Sequence, residues 1–147
     1  MDALDVNAGY GRDFEYVMWL DADLIFADMD FRIEDILNIY PTAHLIASAG
    51  SQSTINSGSL IVKNSKWARQ FLQKWWSSDH LTESVHSRFD TVFWQEKEAL
   101  ERRSGFLESK IAVLQPFEMN SVAPVWINHS PASPIIHLHG EISKTPN

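Results

Sequence analysis

The stretch Tyr16-Val-Met-Trp-Leu-Asp-Ala-Asp-Leu-Ile-Phe-Ala-Asp28 decides the fold of this chain. Its first five residues, 16–20, are apolar and mostly aromatic or β-branched, which is typical of a buried central β-strand. The strand ends abruptly in Asp21 and Asp23, and a divalent cation relieves the repulsion between two close carboxylates. Carboxylate oxygens suit Mg²⁺ or Mn²⁺. The stretch indicates either a metal site or a solvated strand end, and an isolated Asp-x-Asp does not decide between them.

Composition places the chain among acidic globular proteins. Its 147 residues suffice for one domain with a core, and 44% of them are hydrophobic. A formal net charge of −7 argues against a nucleic-acid partner, because a phosphate backbone needs a basic surface. The sequence has no cysteine, and no apolar run reaches the roughly 20 residues of a membrane helix. We therefore expect a single domain over 1–147 with no membrane segment.

Strands and helices alternate along the sequence after a polar segment, 1–14, that we expect to be a flexible arm. The patterns predict further strands at 44–49, 59–62, 111–115 and 135–140, and helices at 31–39, 66–76 and 91–103. Trp67, Phe71 and Trp75 recur every four residues and are expected to be core. The alternation predicts an α/β fold, a sheet covered by helices on both faces, with sites at the carboxyl ends of strands.

Polar residues recur at these predicted strand ends. Asn56-Ser-Gly58 begins one strand, and His137-Leu-His-Gly140 closes another. Gly58 serves either a tight turn or the close approach of a ligand to the backbone. Asp90 stands where a helix cap is expected, so its carboxylate either caps that helix or contacts a ligand. A lone histidine at a strand end is more often a solvated polar residue than a ligand.

The order of these segments resembles the GT-A-fold nucleotide-sugar glycosyltransferases. The closest resemblance is to the galactosyl- and xylosyltransferase-like family that includes fungal mannan and plant xyloglucan enzymes. Residues 19–26 resemble its Asp-x-Asp segment, and 56–67 are similar to its Asn-x-Gly strand and the helix that follows. Phe89-Asp90 resembles an acidic position opening a later helix, and 137–140 the closing His-aromatic-x-Gly segment. The resemblance implies a GT-A-like mixed, mostly parallel sheet.

The resemblance also implies a function. It predicts a metal-dependent transferase that moves a hexosyl or pentosyl unit from a nucleotide-diphosphate sugar to a glycan or glycoprotein acceptor. Mn²⁺, or Mg²⁺, would be bound by Asp21, Asp23 and His137, with His139 as the second-choice ligand. The expected location is the Golgi or another secretory lumen, although no targeting segment is visible in the sequence.

The substrate contacts are implied in the same way. Asn56 and Asp90 are the catalytic candidates, and the expected substrate-binding residues are Asn56, Ser57, Gly58, Asp90 and Gly140. The sequence departs from the family's pattern at Thr91, Leu138 and Ser143, where the family usually has glutamine, an aromatic residue and lysine.

The largest departure is the short stretch before the Asp-x-Asp strand, where the family has its nucleotide-binding first half. We therefore expect an N-terminally truncated fold, and the alternative function is a non-catalytic or incomplete fragment of such an enzyme. A haloacid-dehalogenase-like phosphotransferase also ends its first strand in Asp-x-Asp. That family favours a small residue and threonine after the pair, where this chain has Leu24 and Ile25.

Overall fold

The computed structural model describes residues 14–50, 54–78, 85–104, 110–123 and 134–138. The elements are β1 (Tyr16–Leu20), β2 (Leu24–Phe26), α1 (Ile33–Ile39), β3 (Leu45–Ala49), β4 (Ile55–Lys63), α2 (Lys66–Ser77), α3 (Val85–Ser104), β5 (Ile111–Leu114), a 3-10 turn (Pro116–Glu118), β6 (Asn120–Ala123) and β7 (Ile135–Leu138). Strand β2 was not predicted because three residues are too few to give a periodic pattern, and β6, Asn120-Ser-Val-Ala123, lacks the apolar run of β5 and β7. The arm expected at 1–14 lies almost wholly outside the described residues.

The strands form two mixed sheets, one in the order β1-β4-β3-β5 and the other in the order β2-β7-β6. Antiparallel pairs join β1 to β4, β3 to β4 and β2 to β7, whereas β3–β5 and β6–β7 are parallel. The mixed α/β architecture is confirmed. The prediction of a mostly parallel sheet is wrong for the described strands, because the short link between β3 and β4 favours antiparallel pairing.

Strand β1 lies at the edge of the first sheet, where β4 is its one partner among the described strands. Tyr16, Val17 and Met18 are half-buried, whereas Trp19 is 52% and Leu20 37% exposed. The prediction of a buried central strand is therefore wrong within the described part of the chain. The start of β1 packs against the cores on both faces of the sheet, which accounts for its apolar run. The end of β1, Trp19 and Leu20, belongs to neither core.

A hydrophobic core covers each face of the first sheet. The helix-side core joins the sheet to α2 and α3, and it includes Leu45, Ala47, Leu60, Val62, Phe71 and Phe89. The opposite core joins the sheet to α1, the 3-10 turn and β7, and it includes Ile36, Ile46, Ile61, Leu114, Met119 and Ile135. Successive residues of β3 and β4 contribute to the two cores in turn, as the pleat of a β-strand requires.

Helix α2 agrees most closely with the sequence prediction. Ser65 caps it, since the Ser65 Oγ accepts the backbone N–H of Ala68 at 3.2 Å. Phe71 is 3% exposed and its ring lies 5.7 Å from that of Trp67, centroid to centroid. Burial of the predicted aromatic stripe is confirmed for Phe71, and Trp67 and Trp75 are partly buried against the same core.

The other two helices begin elsewhere than predicted. Helix α3 begins at Val85 rather than Thr91, so Asp90 lies inside the helix and does not cap it. Fully buried Phe89 explains the earlier start, because its packing holds an additional turn of helix in the core. Helix α1 begins at Ile33 rather than at residue 31, with Arg32 at its N-cap position. None of the helices in the described ranges is long and apolar enough to cross a membrane.

His44, whose ring contacts Ser65 and Trp67 at the start of α2, leads to a prediction about pH. Burial lowers the pKa of His44, and the charges of Lys110 and Lys63 lower it further. Protonation is therefore harder in the folded than in the unfolded chain, whose histidine pKa is 6.5. The free energy of unfolding should fall as the pH drops through about 6.5, and it should level off below the lowered pKa. Urea denaturation from about pH 8 to about pH 5 should show a flatter profile for His44→Gln; an unchanged profile would contradict this assignment.

Candidate active site at the carboxyl edge of the first sheet

Three strands of the first sheet, β1, β3 and β5, run in the same direction. Their carboxyl ends lie on one side of the sheet, where β4 begins, and this side is called the carboxyl edge. Asp21 follows β1 directly, and its backbone N–H donates to the carbonyl oxygen of Gly58 at 2.8 Å. This hydrogen bond joins the Asp-x-Asp segment to Asn56-Ser-Gly58. Two of the segments predicted to form a site are therefore adjacent at the sheet edge where α/β proteins place their ligands.

Strand β4 departs from regular pairing with β3 at 57–59. Ala47 pairs with Leu60 but Ser48 pairs with Asn56, so the register shifts between Ala47 and Ser48. The Asn56 Oδ1 accepts the backbone N–H of Gly58 at 2.9 Å in a buried hydrogen bond that holds the irregularity in place. The amide nitrogen of Asn56 is buried and has no hydrogen-bond partner among the described residues. Bulges of this kind redirect side chains beside functional sites.

Asp21 and Asp23 lie in the turn between β1 and β2. Asp21 is half-buried and Asp23 is exposed. The Trp19 Nε1–H donates to the Asp21 Oδ1 at 2.8 Å, which orients this carboxylate in the way that outer hydrogen bonds orient metal ligands. Two carboxylates on a short turn fit a hard divalent cation, and an imidazole as third ligand would favour Mn²⁺ over Ca²⁺.

Strand β7 brings the backbone of His137 to this turn. It pairs with β2 antiparallel, and the register places His137 opposite Leu24, the residue that follows Asp23. No group of three metal-binding residues occurs among the described side chains, which do not include that of His137. The convergence of Asp21, Asp23 and His137 on one cation stays a prediction. His139 and Gly140 lie outside the described residues.

Asp90 approaches the site from α3. Its Oδ1 accepts the backbone N–H of Ile55, the first residue of β4, at 2.8 Å. The contact ties α3 to the residue that precedes Asn56. One oxygen of this carboxylate therefore positions the Asn56 segment, and a contact between Asp90 and a sugar hydroxyl stays a prediction.

Removing the Asp90 carboxylate should destabilise the chain. Asp90→Ala leaves the partly buried N–H of Ile55 without its acceptor, so we expect the free energy of unfolding to fall by about 1–3 kcal/mol. Asp90→Asn keeps an acceptor oxygen and should lose less. Chemical denaturation of both variants measures the difference. An alanine variant as stable as the unmodified chain would show that this hydrogen bond does not hold α3 to β4.

Two buried serines at this edge were not predicted. Ser48 near the end of β3 and Ser59 in β4 are both 0% exposed, and neither hydroxyl has a partner among the described residues. A polar residue inside a run that is otherwise apolar, as in Leu45-Ile-Ala-Ser48, is the sequence signal that could have identified them. Small serines are common in strands, so this signal has little specificity without the strand pairing.

The fold is similar to that of a solved glycosyltransferase. The chain superimposes over 86% of its length on a crystal structure described as a glycosyltransferase involved in the glycosylation of the major capsid of PBCV-1. The TM-score is 0.57, the sequence identity is 18%, and the chain covers 61% of that structure.

The sequence is also similar to plant glycosyltransferases. It is 28% identical over 67 residues to probable glycosyltransferase 7 of Oryza sativa subsp. indica, which matches 42% of this chain and 15% of the rice protein. It is 27% identical over 69 residues to galactomannan galactosyltransferase 1 of Cyamopsis tetragonoloba, or 43% of this chain and 16% of that protein. The chain thus spans only a small part of these relatives. No family model matches the sequence.

Proposed function

We propose that this chain carries the metal- and sugar-binding part of a glycosyltransferase, which transfers a hexosyl or pentosyl unit from a nucleotide-diphosphate sugar to a glycan acceptor. The observation that carries the proposal is the hydrogen bond between Asp21 and Gly58, which places the Asp-x-Asp turn beside the Asn56 segment. The similarity in sequence and fold to glycosyltransferases supports the same reaction class.

The acidic turn is the proposed metal site. Asp21, Asp23 and His137 would bind Mn²⁺, or Mg²⁺, which supplies Lewis-acid stabilisation of the departing diphosphate. The Trp19 indole holds the Asp21 carboxylate in one orientation through its hydrogen bond. The β2–β7 pairing brings the backbone of His137 to the same turn, which supports its inclusion in the ligand set.

The Asn56 segment is the proposed sugar site. Its amide nitrogen would donate to a hydroxyl of the transferred sugar, since this buried donor has no other partner among the described residues. Ser57, Gly58 and Gly140 would line the same site. Asp90 would act by holding Ile55, and with it Asn56, in position. We therefore expect Asp90 variants to affect turnover through the geometry of Asn56.

The acceptor and location follow from the same proposal. A glycan or glycoprotein acceptor fits the relatives named above, one of which is a galactomannan galactosyltransferase. The acidic sequence, with its net charge of −7, supports the expectation of no nucleic-acid partner. A Golgi or other secretory compartment is the proposed location. It rests only on the resemblance to the galactosyl- and xylosyltransferase-like glycosyltransferases.

The exposed apolar edge favours a second candidate function. Of the eight large hydrophobic residues exposed in the described part, five lie within residues 19–29: Trp19, Leu20, Ile25, Phe26 and Met29. Edge strands are normally protected by charged residues or proline, and β1 contains neither. An incomplete transferase would account for the exposure. Such a chain would bind metal but turn over its donor only when another polypeptide segment covers this edge.

A donor-hydrolysis screen separates these candidates. The purified chain is incubated with a panel of UDP- and GDP-sugars, with Mn²⁺ or with EDTA, and the released nucleotide is measured. The proposed function predicts release that requires Mn²⁺ and favours one sugar. Mn²⁺ binding without release would favour the incomplete transferase. Release that EDTA leaves unchanged would contradict both.

A further inference from the structure

Three buried polar groups at the carboxyl edge of the first sheet lack hydrogen-bond partners in the described part of the chain. They are the hydroxyls of Ser48 and Ser59 and the amide nitrogen of Asn56. Both serines are 0% exposed and Asn56 is 8% exposed. Buried polar side chains in native proteins are nearly always hydrogen-bonded, so several unpartnered groups at one place require an explanation.

The strand pairing places all three groups on one face of the sheet. Ser48 follows Ala47, which belongs to the helix-side core, so its side chain points to the opposite face. Asn56 is the antiparallel partner of Ser48 and shares that face. Ser59 precedes Leu60, which also belongs to the helix-side core, and therefore lies on the same face as the other two.

The same three residues adjoin the proposed metal site. Ser59 follows Gly58, whose carbonyl oxygen accepts the backbone N–H of Asp21, and it pairs with Leu20 across the strands. Ser48 is the penultimate residue of β3, which ends at the same edge. A ligand bound at Asp21 and Asp23 would therefore adjoin β4, which carries Ser59 and Asn56, with Ser48 on the strand beyond it.

The chemistry of the three groups selects a neutral ligand. Two hydroxyls can donate or accept, and the amide nitrogen of Asn56 can donate. None of the three carries a charge, so they match a ligand with several neutral hydroxyl groups better than a phosphate or a metal ion. A pyranose ring provides donors and acceptors of this kind at close spacing.

We propose that Ser48 and Ser59, together with the Asn56 amide, bind the hydroxyl groups of the transferred sugar and determine which sugar is accepted. This inference rests on the proposed function, since it names the part of that site that recognises the sugar. The amide of Asn120 is also buried without a partner among the described residues; it begins β6 of the second sheet and is not included in this set.

Calorimetric titration tests the inference. The affinity of the chain is measured, in the presence of Mn²⁺, for a panel of UDP- and GDP-sugars and for the free nucleotides. The difference between each nucleotide sugar and its free nucleotide gives the contribution of the sugar to affinity. Ser48→Ala and Ser59→Ala should each weaken binding of the preferred nucleotide sugar by roughly three- to tenfold, the worth of one hydrogen bond, and should leave binding of the free nucleotide unchanged.

Thermal unfolding of the unliganded variants provides a second readout. Because each serine hydroxyl lacks a partner, its removal should leave the midpoint of unfolding unchanged or higher. Ser65→Ala is the matched control. The Ser65 hydroxyl caps α2 and bonds the His44 ring, so its removal should lower the midpoint and leave the sugar contribution unchanged.

The outcomes are distinguishable. Serine variants that lower the midpoint of unfolding while keeping the full sugar contribution would overturn the inference, because the hydroxyls would then serve the fold. Serine variants that weaken nucleotide and nucleotide sugar equally would also overturn it. An unmodified chain that binds neither nucleotide nor nucleotide sugar with Mn²⁺ would overturn the proposed function, and this inference with it.

Discussion

Asp23→Ala should abolish the metal-dependent turnover of a nucleotide sugar. The substitution removes one of the two carboxylates of the acidic turn, and the loss should exceed about 100-fold, more than is typical for residues that only support a metal ligand. The fold should survive, because Asp23 is exposed and its removal relieves repulsion with Asp21. Nucleotide release with Mn²⁺ and the free energy of unfolding are the two quantities to measure.

Asp30→Ala is the matched control for this prediction. Asp30 is also exposed and lies just beyond β2, so the change in net charge is the same. Its turnover should stay within about twofold of the unmodified chain, because surface changes away from a site have small effects. Donor turnover that survives both Asp23→Ala and chelation would remove the acidic turn from the mechanism.

Phe71→Ala should cost roughly 3–5 kcal/mol in the free energy of unfolding, as is typical for a buried phenylalanine. The ring is 3% exposed and lies between the rings of Trp67 and Phe89, at centroid distances of 5.7 and 5.8 Å. It therefore joins α2 to α3 within the helix-side core. Chemical denaturation followed by tryptophan fluorescence and by circular dichroism measures the loss.

Trp76→Ala serves as the control on the same helix. Trp76 is 64% exposed, so its removal should cost about 1 kcal/mol or less despite the larger side chain. A Phe71→Ala loss below about 1 kcal/mol would mean that the helix-side core does not depend on this ring.

Local patterns were sufficient to predict helix α2 and strand β3. Helix α2 was predictable because Ser65 supplies a cap and its aromatic residues recur every four positions, which fixes both the start and the buried side. Strand β3 was predictable from the continuous apolar run 45–47, which two cores cover from opposite sides.

Strand order and long-range pairing were not predictable in the same way. The apolar run of β1 carries no information about how many neighbours it has, so its edge position could not be derived from the sequence. The approach of His137 to Leu24 depends on the antiparallel register of β2, a strand of three residues. Resemblance to a family anticipated that proximity, whereas periodicity did not.

The candidate site was only partly predictable for the same reason. Asp21 and the Asn56 segment were singled out because polar residues interrupt apolar runs at strand ends. The cap position predicted for Asp90 was wrong, and its hydrogen bond to Ile55 was not predictable, since it joins two elements distant in the sequence. Ser48 and Ser59 were missed because the pairing of β3 with β4 is what brings them together.

Titration of Mn²⁺ followed by electron paramagnetic resonance tests the central claim most directly, because free and bound Mn²⁺ differ in their signals. In the presence of UDP or GDP, the unmodified chain should bind one Mn²⁺. Asp21→Ala, Asp23→Ala and His137→Ala should each weaken that binding by at least about tenfold, as expected for loss of a ligand, while Asp30→Ala keeps it. Equal Mn²⁺ binding by the unmodified chain and a variant lacking both Asp21 and Asp23 would contradict the account.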